Sequence, residues 1–444
     1  MNDAATPAEP PSSGRSRMLW TFGDQGLSSL SNFALAAVVA NVVHSETPEG
    51  LKAFGSFGLA LVTFSFLIGL GRSAIGDPYV VRYTGAAPAT RNTAVSWATG
   101  AAVAFGLLSG LLCVAASLFM SGDMRMAMLA LGLSMPGLML QETWRHVFFA
   151  EGRPRAAALN DGVWTLLQFG LLAVLLTTPH SASIFLITAT WGLSALVAAL
   201  VGIAQTGVMP ALSRAGAWYR ETRDINLKMA MDFAFNQGAT TLASYLITGI
   251  VGLQAMAAIR AAQNLLGPLN LLLAGISAFA LPLLARTALT TSRHTEPAIE
   301  PAIEPGNGGA GVLRHALAIS AVAGAGSGLC LLILLVMPSS VAESLLKGLW
   351  SAAHPVLLPM GLVTLAVSLV IGASLGLKAL ARADQMLRVT LVQAPLMLAL
   401  SAAGAVWHGA AGAAWGFVAA QTFGLGLCWF IFVRAARAHD QVSR

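Results

Sequence analysis

The sequence predicts an all-α polytopic membrane protein with twelve transmembrane helices in two parallel six-helix bundles. Of its 444 residues, 56% are hydrophobic and only 10% are charged, and the mean hydropathy is +0.72, whereas soluble domains carry about a quarter charged residues. Apolar segments of about 20 residues, enough to cross roughly 30 Å of hydrocarbon, recur along the chain. A polar pattern in the first of these segments also recurs in the seventh.

Length and hydropathy set the bounds of the predicted helices. They are 20–43, 53–71, 92–119, 126–149, 156–177, 183–205, 229–253, 257–284, 315–337, 354–377, 389–407 and 411–433. The loops between them are too short to hold a soluble catalytic domain.

The remaining segments complete the predicted domain organisation. The first residues are polar and rich in Pro and Ser, which predicts a disordered tail. We expect a tail at 1–18, a first bundle at 19–206, a linker at 207–228, a second bundle at 229–434 and a second tail at 435–444. The tract EPAIEPAIEP, from Glu296 to Pro305, is typical of an extended spacer.

The distribution of Lys and Arg predicts the orientation of the chain. Of the 25 such residues, Lys52, Arg125 and Lys347 fall in loops on one side of the membrane, Arg260 falls inside a span, and all others lie on the side of the N-terminus. Cytoplasmic loops carry the excess of Lys and Arg. Both termini and the linker are therefore expected to be cytoplasmic.

A duplicated pattern predicts that the two bundles are related. The chain reads DQGLSSLSNF from Asp24 and NQGATTLASY from Asn236. Six helices per half is an even number, so both halves enter the membrane from the same side as parallel repeats. The copies differ in charge, because Asp24 corresponds to Asn236 and Asp161 to Gln393. Charge chemistry is therefore expected mainly in the first half.

Several classes of site are not supported by the sequence. The net charge of +6 is explained by cytoplasmic loops, so no nucleic-acid partner is expected. Cys113, Cys330 and Cys428 lie singly in apolar runs, without the spacing of a disulfide framework or a zinc site. No catalytic constellation, metal site or cofactor motif is found, which predicts that the protein is not an enzyme.

Polar residues at helical spacing mark the first and seventh helices. Asp24 and Asn32 lie on one such stripe and Asn236 on the other. A polar stripe facing lipid is unfavourable, so both faces are expected to look inward. Cavity lining and close helix packing explain the stripes equally well. Asp24 is a candidate for ion coupling, and Asn32 and Asn236 are candidates for substrate binding.

A charged group ends the fourth helix and begins the fifth. Glu142 lies three residues before Arg145 and four before His146, on one helical face. Asp161 follows inside the fifth helix, within reach of Arg145 or Arg155. The structural interpretation is a set of ion pairs. The functional interpretation assigns ion coupling to Glu142 and Asp161 and substrate contact to Arg145, with His146 as a titratable neighbour.

Two further arginines are candidates for substrate binding. Arg260 is the one cation well inside a predicted span. Its side chain is expected either to reach outward to the membrane surface or to face a cavity that receives an anion. Arg72 follows the predicted end of the second helix at residue 71.

The helix pattern and one segment carry a resemblance to a known family. Twelve spans in two halves, opening near DQGLSSLSNF, resemble the multidrug/oligosaccharidyl-lipid/polysaccharide (MOP) exporter superfamily, which includes the MATE transporters. The stretch LQETWRHVFFAEGRPRAAALND, from Leu140 to Asp161, is similar to actinobacterial polysaccharide-biosynthesis flippases of the Wzx type.

This resemblance implies a fold and a function. Two bundles would form a V around a central cavity and alternate between inward-open and outward-open states. The substrate would be a polyprenyl-linked oligosaccharide whose headgroup crosses in the cavity while its tail stays in membrane lipid. It also implies a place in a bacterial cytoplasmic membrane and glycan-assembly enzymes as partners.

Two alternatives remain open at the level of sequence. One is a cation-coupled exporter of drugs or metabolites from the same superfamily, since such exporters often use an acidic residue of the first bundle, where Asp24 and Asp161 lie. The other is a membrane-embedded enzyme of glycan assembly. Such enzymes usually carry a large outer loop with titratable residues, and the outer loops here are short.

Overall fold

A computed structural model confirms the predicted class of an all-α polytopic membrane protein. The structure describes residues 31, 34–44, 46–179, 183–267, scattered positions from 269 to 287, 308–346, 349–380 and 382–442. Within these ranges every regular element is helical. Seven of the described helical segments are long and apolar enough to cross a membrane.

The helices follow one another with short connections. In chain order they are α1 (Pro48–Gly71), α2 (Asp77–Tyr83), α3 (Pro88–Ser117), α4 (Gly122–Ala150), α5 (Pro154–Leu176), α6 (Ile184–Thr206), α7 (Ala215–Glu221), α8 (Arg223–Val251), α9 (Leu253–Leu265), α10 (Gly308–Val336), α11 (Ser339–Leu346), α12 (Leu349–Ala379) and α13 (Ala383–Val442). Residues 34–42 are helical as well.

The predicted spans can be compared with these helices. All twelve predicted spans overlap a described helix, the first over 34–42 and the eighth over 257–265. The last two are joined in α13, which is broken where His408 and Gly409 leave helical geometry. The spacer at 296–305 and most of the first span lie outside the described residues.

The second predicted span is longer than expected. A π-helical turn, Arg72–Gly76, follows α1 and leads directly into α2, so the helical rod reaches Tyr83 instead of ending at residue 71. In the turn, the Asp77 N–H donates to the Arg72 carbonyl, five residues back. Pro78 has no N–H to continue a regular ladder, and the extra residue of the π turn absorbs the interruption. Arg72 and Arg82 therefore lie on a helix and not in a loop.

The helices pack into two groups that follow the order of the chain. In the first half α3 packs on α4, α4 on α6, and α5 on α6. In the second half α10 packs on α12, α12 on α13, and α8 on α13. The two groups meet where α1 of the first half contacts α8 and α9 of the second. We call this contact the seam.

Glycines of α1 bring the backbones at the seam together. A Cβ on Gly55 would collide with the Leu253 carbonyl oxygen at the start of α9, and one on Gly69 would collide with the Phe233 ring of α8. Between these points the hydroxyls of Thr63 and Tyr245 are hydrogen-bonded to each other. Small residues allow close approach between helices in lipid, where apolar side chains gain little from leaving the bilayer.

The linker has helical structure of its own. It contains α7, and α8 begins at Arg223, six residues before the predicted start at 229. Thr222 alone separates α7 from α8. We call the end of the molecule that holds this linker, together with Arg82, Arg91 and Arg153, the arginine-rich end.

Replacing Gly55 with Ala is expected to weaken the seam, because the added methyl must displace backbone and not a flexible side chain. We expect the melting temperature of the detergent-solubilised protein to fall by several degrees. Gly162→Ala in α5 is the matched control, since a Cβ there meets nothing within 4 Å. An unchanged melting temperature for Gly55→Ala would show that the two halves do not meet at this backbone contact.

Candidate functional site

A network of charged and amide side chains runs through the arginine-rich end of the first half. Its centre is Asp161, which α5 places about two turns from the helix start at Pro154. Asp161 is only 8% exposed. A carboxylate buried to this degree requires partners that replace its water.

Two residues of α4, one helical turn apart, supply partners for Asp161. Gln141 Nε2 donates to Asp161 Oδ1 at 2.6 Å, and Arg145 Nε lies 3.2 Å from Asp161 Oδ2. Gln141 and Arg145 are four residues apart, so α4 presents them on one face. The sequence left Arg145 and Arg155 as alternative partners of Asp161, and the structure contains the pair with Arg145.

Amide groups extend the network to α6. Asn160 Nδ2 donates to the Ala198 carbonyl at 2.8 Å and to Gln205 Oε1 at 3.1 Å. Gln205 Nε2 in turn donates to the Ala156 carbonyl at 3.3 Å. Three helices, α4, α5 and α6, are joined by these side chains. Buried networks of this kind hold helices in a fixed arrangement when their members are satisfied.

On its other side the network reaches the helical rod of α1 and α2. Arg145 Nη1 lies 3.9 Å from Glu142 Oε2, and His146 Nδ1 lies 3.7 Å from Glu142 Oε1. His146 Nε2 faces Asp77 Oδ1 at 3.9 Å. The imidazole also packs on the π turn, since a Cβ on Gly76 would lie 2.9 Å from His146 Cγ.

A second ion cluster lies at the end of α4. Glu151 Oε1 is 3.6 Å from Arg91 Nε, and Glu151 Oε2 is 3.3 Å from Arg153 Nη1. Arg153 also lies over the Phe148 ring, 5.4 Å from its centroid, and donates to the Gln205 carbonyl at 3.3 Å. This cluster fixes the turn between α4 and α5, which sets the position of Asp161.

The charged side chains of this network are paired with one another. Each carboxylate of the network lies near a cation or a histidine, which favours the structural interpretation of Glu142 and Asp161. Among the described residues, no group of three His, Cys, Asp or Glu side chains could hold a metal ion.

Arg260 lies apart from this network, at the seam. Its half-buried side chain runs along α1, and a Cβ on Gly58 would lie 2.9 Å from Arg260 Cγ. Arg260 Nη1 donates to Gln263 Oε1 at 3.1 Å. The aliphatic stem is thus directed between the two halves. Arg72, in the π turn, is exposed.

The remaining predicted site residues fall elsewhere. Asp24, Asn32 and the side chain of Asn236 lie outside the described residues. In the second half, Gln393 occupies the position that corresponds to Asp161, and its Nε2 donates to Gln421 Oε1 at 2.7 Å. A neutral amide pair therefore stands where the first half has a charged one.

Two network residues were missed by sequence reasoning. Gln141 is hydrogen-bonded to Asp161 and Gln205 to Asn160, but each is a single uncharged polar residue in an apolar span. The available signal was the spacing of Gln141, four residues before Arg145 and thus on the same helical face.

Comparison with solved structures identifies the fold. The chain is similar to an inward-facing multidrug-resistance MATE transporter of the MOP superfamily, with TM-score 0.69, 11% identity, and 93% of this chain and 96% of that chain covered. It is similar to the lipid II flippase MurJ in an inward closed conformation, with TM-score 0.69, 10% identity, and coverage of 97% and 91%. A MOP superfamily transporter from Pyrococcus furiosus gives TM-score 0.57, 13% identity, and coverage of 97% and 99%.

Comparison by sequence adds no relative. No family model and no curated protein matches the chain. The identities to the solved structures are low, so the similarity establishes the fold alone. That fold is the one that the sequence resemblance implied, the fold of MOP superfamily transporters.

Arg145→Leu is expected to destabilise the protein, because it leaves the Asp161 carboxylate buried without its cation. The side chains of Arg145 and Asp161 are 21% and 11% exposed, so we expect a loss of about 2–4 kcal/mol, between the values for exposed and buried pairs. Thermal unfolding in detergent measures the loss.

The double variant Arg145→Leu with Asp161→Asn should recover most of the stability that Arg145→Leu loses, because no uncompensated charge remains. If the single and double variants unfold at the same temperature, the ion pair has no part in holding α4 and α5 together.

Proposed function

We propose that the chain is a membrane transporter that flips a polyprenyl-linked oligosaccharide across the bacterial cytoplasmic membrane by alternating access. The oligosaccharide would be a precursor of a cell-surface polysaccharide. Both termini would lie in the cytoplasm, and the enzymes that assemble the glycan would be partners.

The seam is the observation that carries this proposal. Two helix groups meet along α1, α8 and α9, and their closest approach depends on glycine contacts and a few polar bonds. Such a contact can be broken and remade at modest cost, as alternating access requires. The solved structures with this fold include transporters and a lipid flippase, which supports transport over catalysis.

Arg260 supports an anionic substrate. Burying an isolated anion in hydrocarbon costs tens of kcal/mol by Born estimates, so a lipid pyrophosphate needs cations along its path. The Arg260 stem lies between the halves and its Nη1 has a neutral partner, Gln263. Its charge is therefore available to a ligand entering at the seam. Arg72 is a second candidate, because it is exposed on the rod that forms one side of the seam.

A cation-coupled exporter is the second candidate function. The buried carboxylates Asp161 and Glu142 lie in the first half, where exporters of this fold are expected to couple to ions. In this chain, however, Asp161 is already paired with Arg145 and Gln141. A coupling ion would have to displace that arginine, which makes the flippase the better supported function.

Deletion of the gene should leave lipid-linked oligosaccharide in the inner leaflet, because the headgroup cannot cross unaided. The measurement is the amount and leaflet distribution of the intermediate in deleted and complemented cells. Normal surface polysaccharide with unchanged intermediates would refute the flippase proposal.

Arg260→Ala is expected to reduce transport by about tenfold or more, and Arg260→Lys to retain part of it, because a point charge replaces a planar guanidinium. Complementation of the deletion strain, normalised to protein level, measures the effect. Lys52→Ala is the control, because it removes an exposed cation near the start of α1. Equal activity of both Arg260 variants and the wild type would make Arg260 a packing residue.

The exporter is tested separately. Proteoliposomes with an imposed proton or sodium gradient should show no uphill movement of small cationic amphiphiles if the flippase proposal is correct. Gradient-driven efflux that Asp161→Asn abolishes would favour the exporter instead.

A further inference from the structure

The linker between the halves is attached to α3 of the first half by backbone contacts. Ser96 Oγ donates to the Met209 carbonyl at 2.7 Å, and the Ala211 N–H donates to the Ser96 carbonyl at 2.9 Å. A Cβ on Gly100 would collide with the Ala211 carbonyl oxygen. The linker therefore lies directly on α3 and moves with it.

Trp218 of α7 anchors the linker more deeply. Its side chain is fully buried. The centroid of the Trp218 ring lies 6.5 Å from the ring centroid of Tyr79 and 5.8 Å from that of Tyr83, both in α2. Next to it, burial raises the pKa of Tyr219 to about 12, so this phenol is neutral at physiological pH. Removing an indole of this size from its site would expose a large apolar surface to water. This contact is expected to persist in every functional state.

Arg82 forms a different kind of contact, between α2 and the start of the second half. Arg82 Nη2 lies 2.6 Å from Asp224 Oδ2, in the first turn of α8, and Nη1 donates to the Glu221 carbonyl. The side chains of Arg82 and Asp224 are 29% and 62% exposed. Exposed ion pairs contribute little and are screened by salt. This contact is therefore easily released.

Space beside this contact permits its release. A pocket of about 360 Å³ is lined by Tyr83 and Glu221, together with Trp97 and Thr93 of α3. The Tyr83 hydroxyl donates to Glu221 Oε1. The Glu221 side chain can therefore turn into open volume when α8 moves, while Tyr83 stays packed on Trp218.

We propose that Arg82 is a releasable latch that holds the start of α8 against the first half, while Trp218 keeps the linker on the first half throughout the cycle. The proposal rests on the proposed alternating-access function. The second half then swings about the junction at Thr222. Breaking the Arg82–Asp224 pair shifts the balance of states away from the one described here.

Distances between spin labels test the latch without any transport assay. The native Cys113, Cys330 and Cys428 are replaced by Ser, and labels are placed at Ala87, at the start of α3, and Ala438, at the end of α13. Both positions are exposed. Arg82→Gln and Asp224→Asn should each change the ratio of the two states by about 1.5- to 5-fold, as expected for an exposed ion pair. Arg220→Gln is the control, because in the part of the chain that the structure describes Arg220 of α7 donates to its own helix, at the Gly216 carbonyl.

Charge reversal and added salt provide two further tests of the Arg82–Asp224 ion pair. Arg82→Glu should shift the ratio, and adding Asp224→Arg should restore it. In the wild type, roughly 1 M KCl should reproduce the shift, since the screening length falls to about 3 Å. Labels at Ala87 and Ser213, within the first half and its linker, should keep one distance throughout.

Unchanged Ala87–Ala438 distances in folded Arg82→Gln and Asp224→Asn would overturn the latch, and a changed Ala87–Ser213 distance would overturn the anchor. If the distances shift as expected while no lipid-linked substrate moves, the substrate proposal fails and the latch stands.

Discussion

The close approach of α1 to α8 and α9 is the constraint on which the rest of the structure depends. In lipid, two helices gain little by burying apolar side chains against each other, so the distance between their backbones decides how well they pack. Gly55 and Gly69 set that distance at two points of α1, and the Thr63–Tyr245 hydrogen bond lies between them. A contact built in this way is specific but not strongly attractive. Gly58, between them on α1, lies against the stem of Arg260, so this side chain is directed between the halves.

Charge is concentrated on one side of this contact. The network from Gln205 through Asp161 and Arg145 to His146 lies wholly in the first half, and His146 touches both Asp77 and the π turn. The π turn packs on α8 of the second half. The π turn therefore connects the network to the seam through one packing contact. In the second half, the position that corresponds to Asp161 carries a neutral side chain, Gln393, which is hydrogen-bonded to Gln421.

The sequence predicted the class of fold because hydropathy reports directly on solvation in the bilayer. It also narrowed the partner of Asp161 to Arg145 or Arg155, because both are close in the chain, and the structure has the Arg145 pair. The extension of α1 and the burial of Trp218 could not be predicted, because both depend on contacts and backbone geometry that sequence patterns do not show. The extension of α1 through the π turn to Tyr83 runs past a proline, Pro78, that normally ends a helix, and the burial of Trp218 depends on Tyr79 and Tyr83, far away in the chain.

Movement of the two halves across the seam is the central claim, and a reversible crosslink tests it most directly. Gln254 Nε2 of α9 donates to the Pro48 carbonyl of α1 at 3.4 Å, at the end opposite the arginine-rich end. Cysteines at these two positions, in a background without native cysteines, can be joined by oxidation. The measurement is the movement of a fluorescent polyprenyl-linked sugar across proteoliposome membranes. The account predicts that oxidation stops this movement and reduction restores it, whereas undiminished movement in the crosslinked protein would contradict the account.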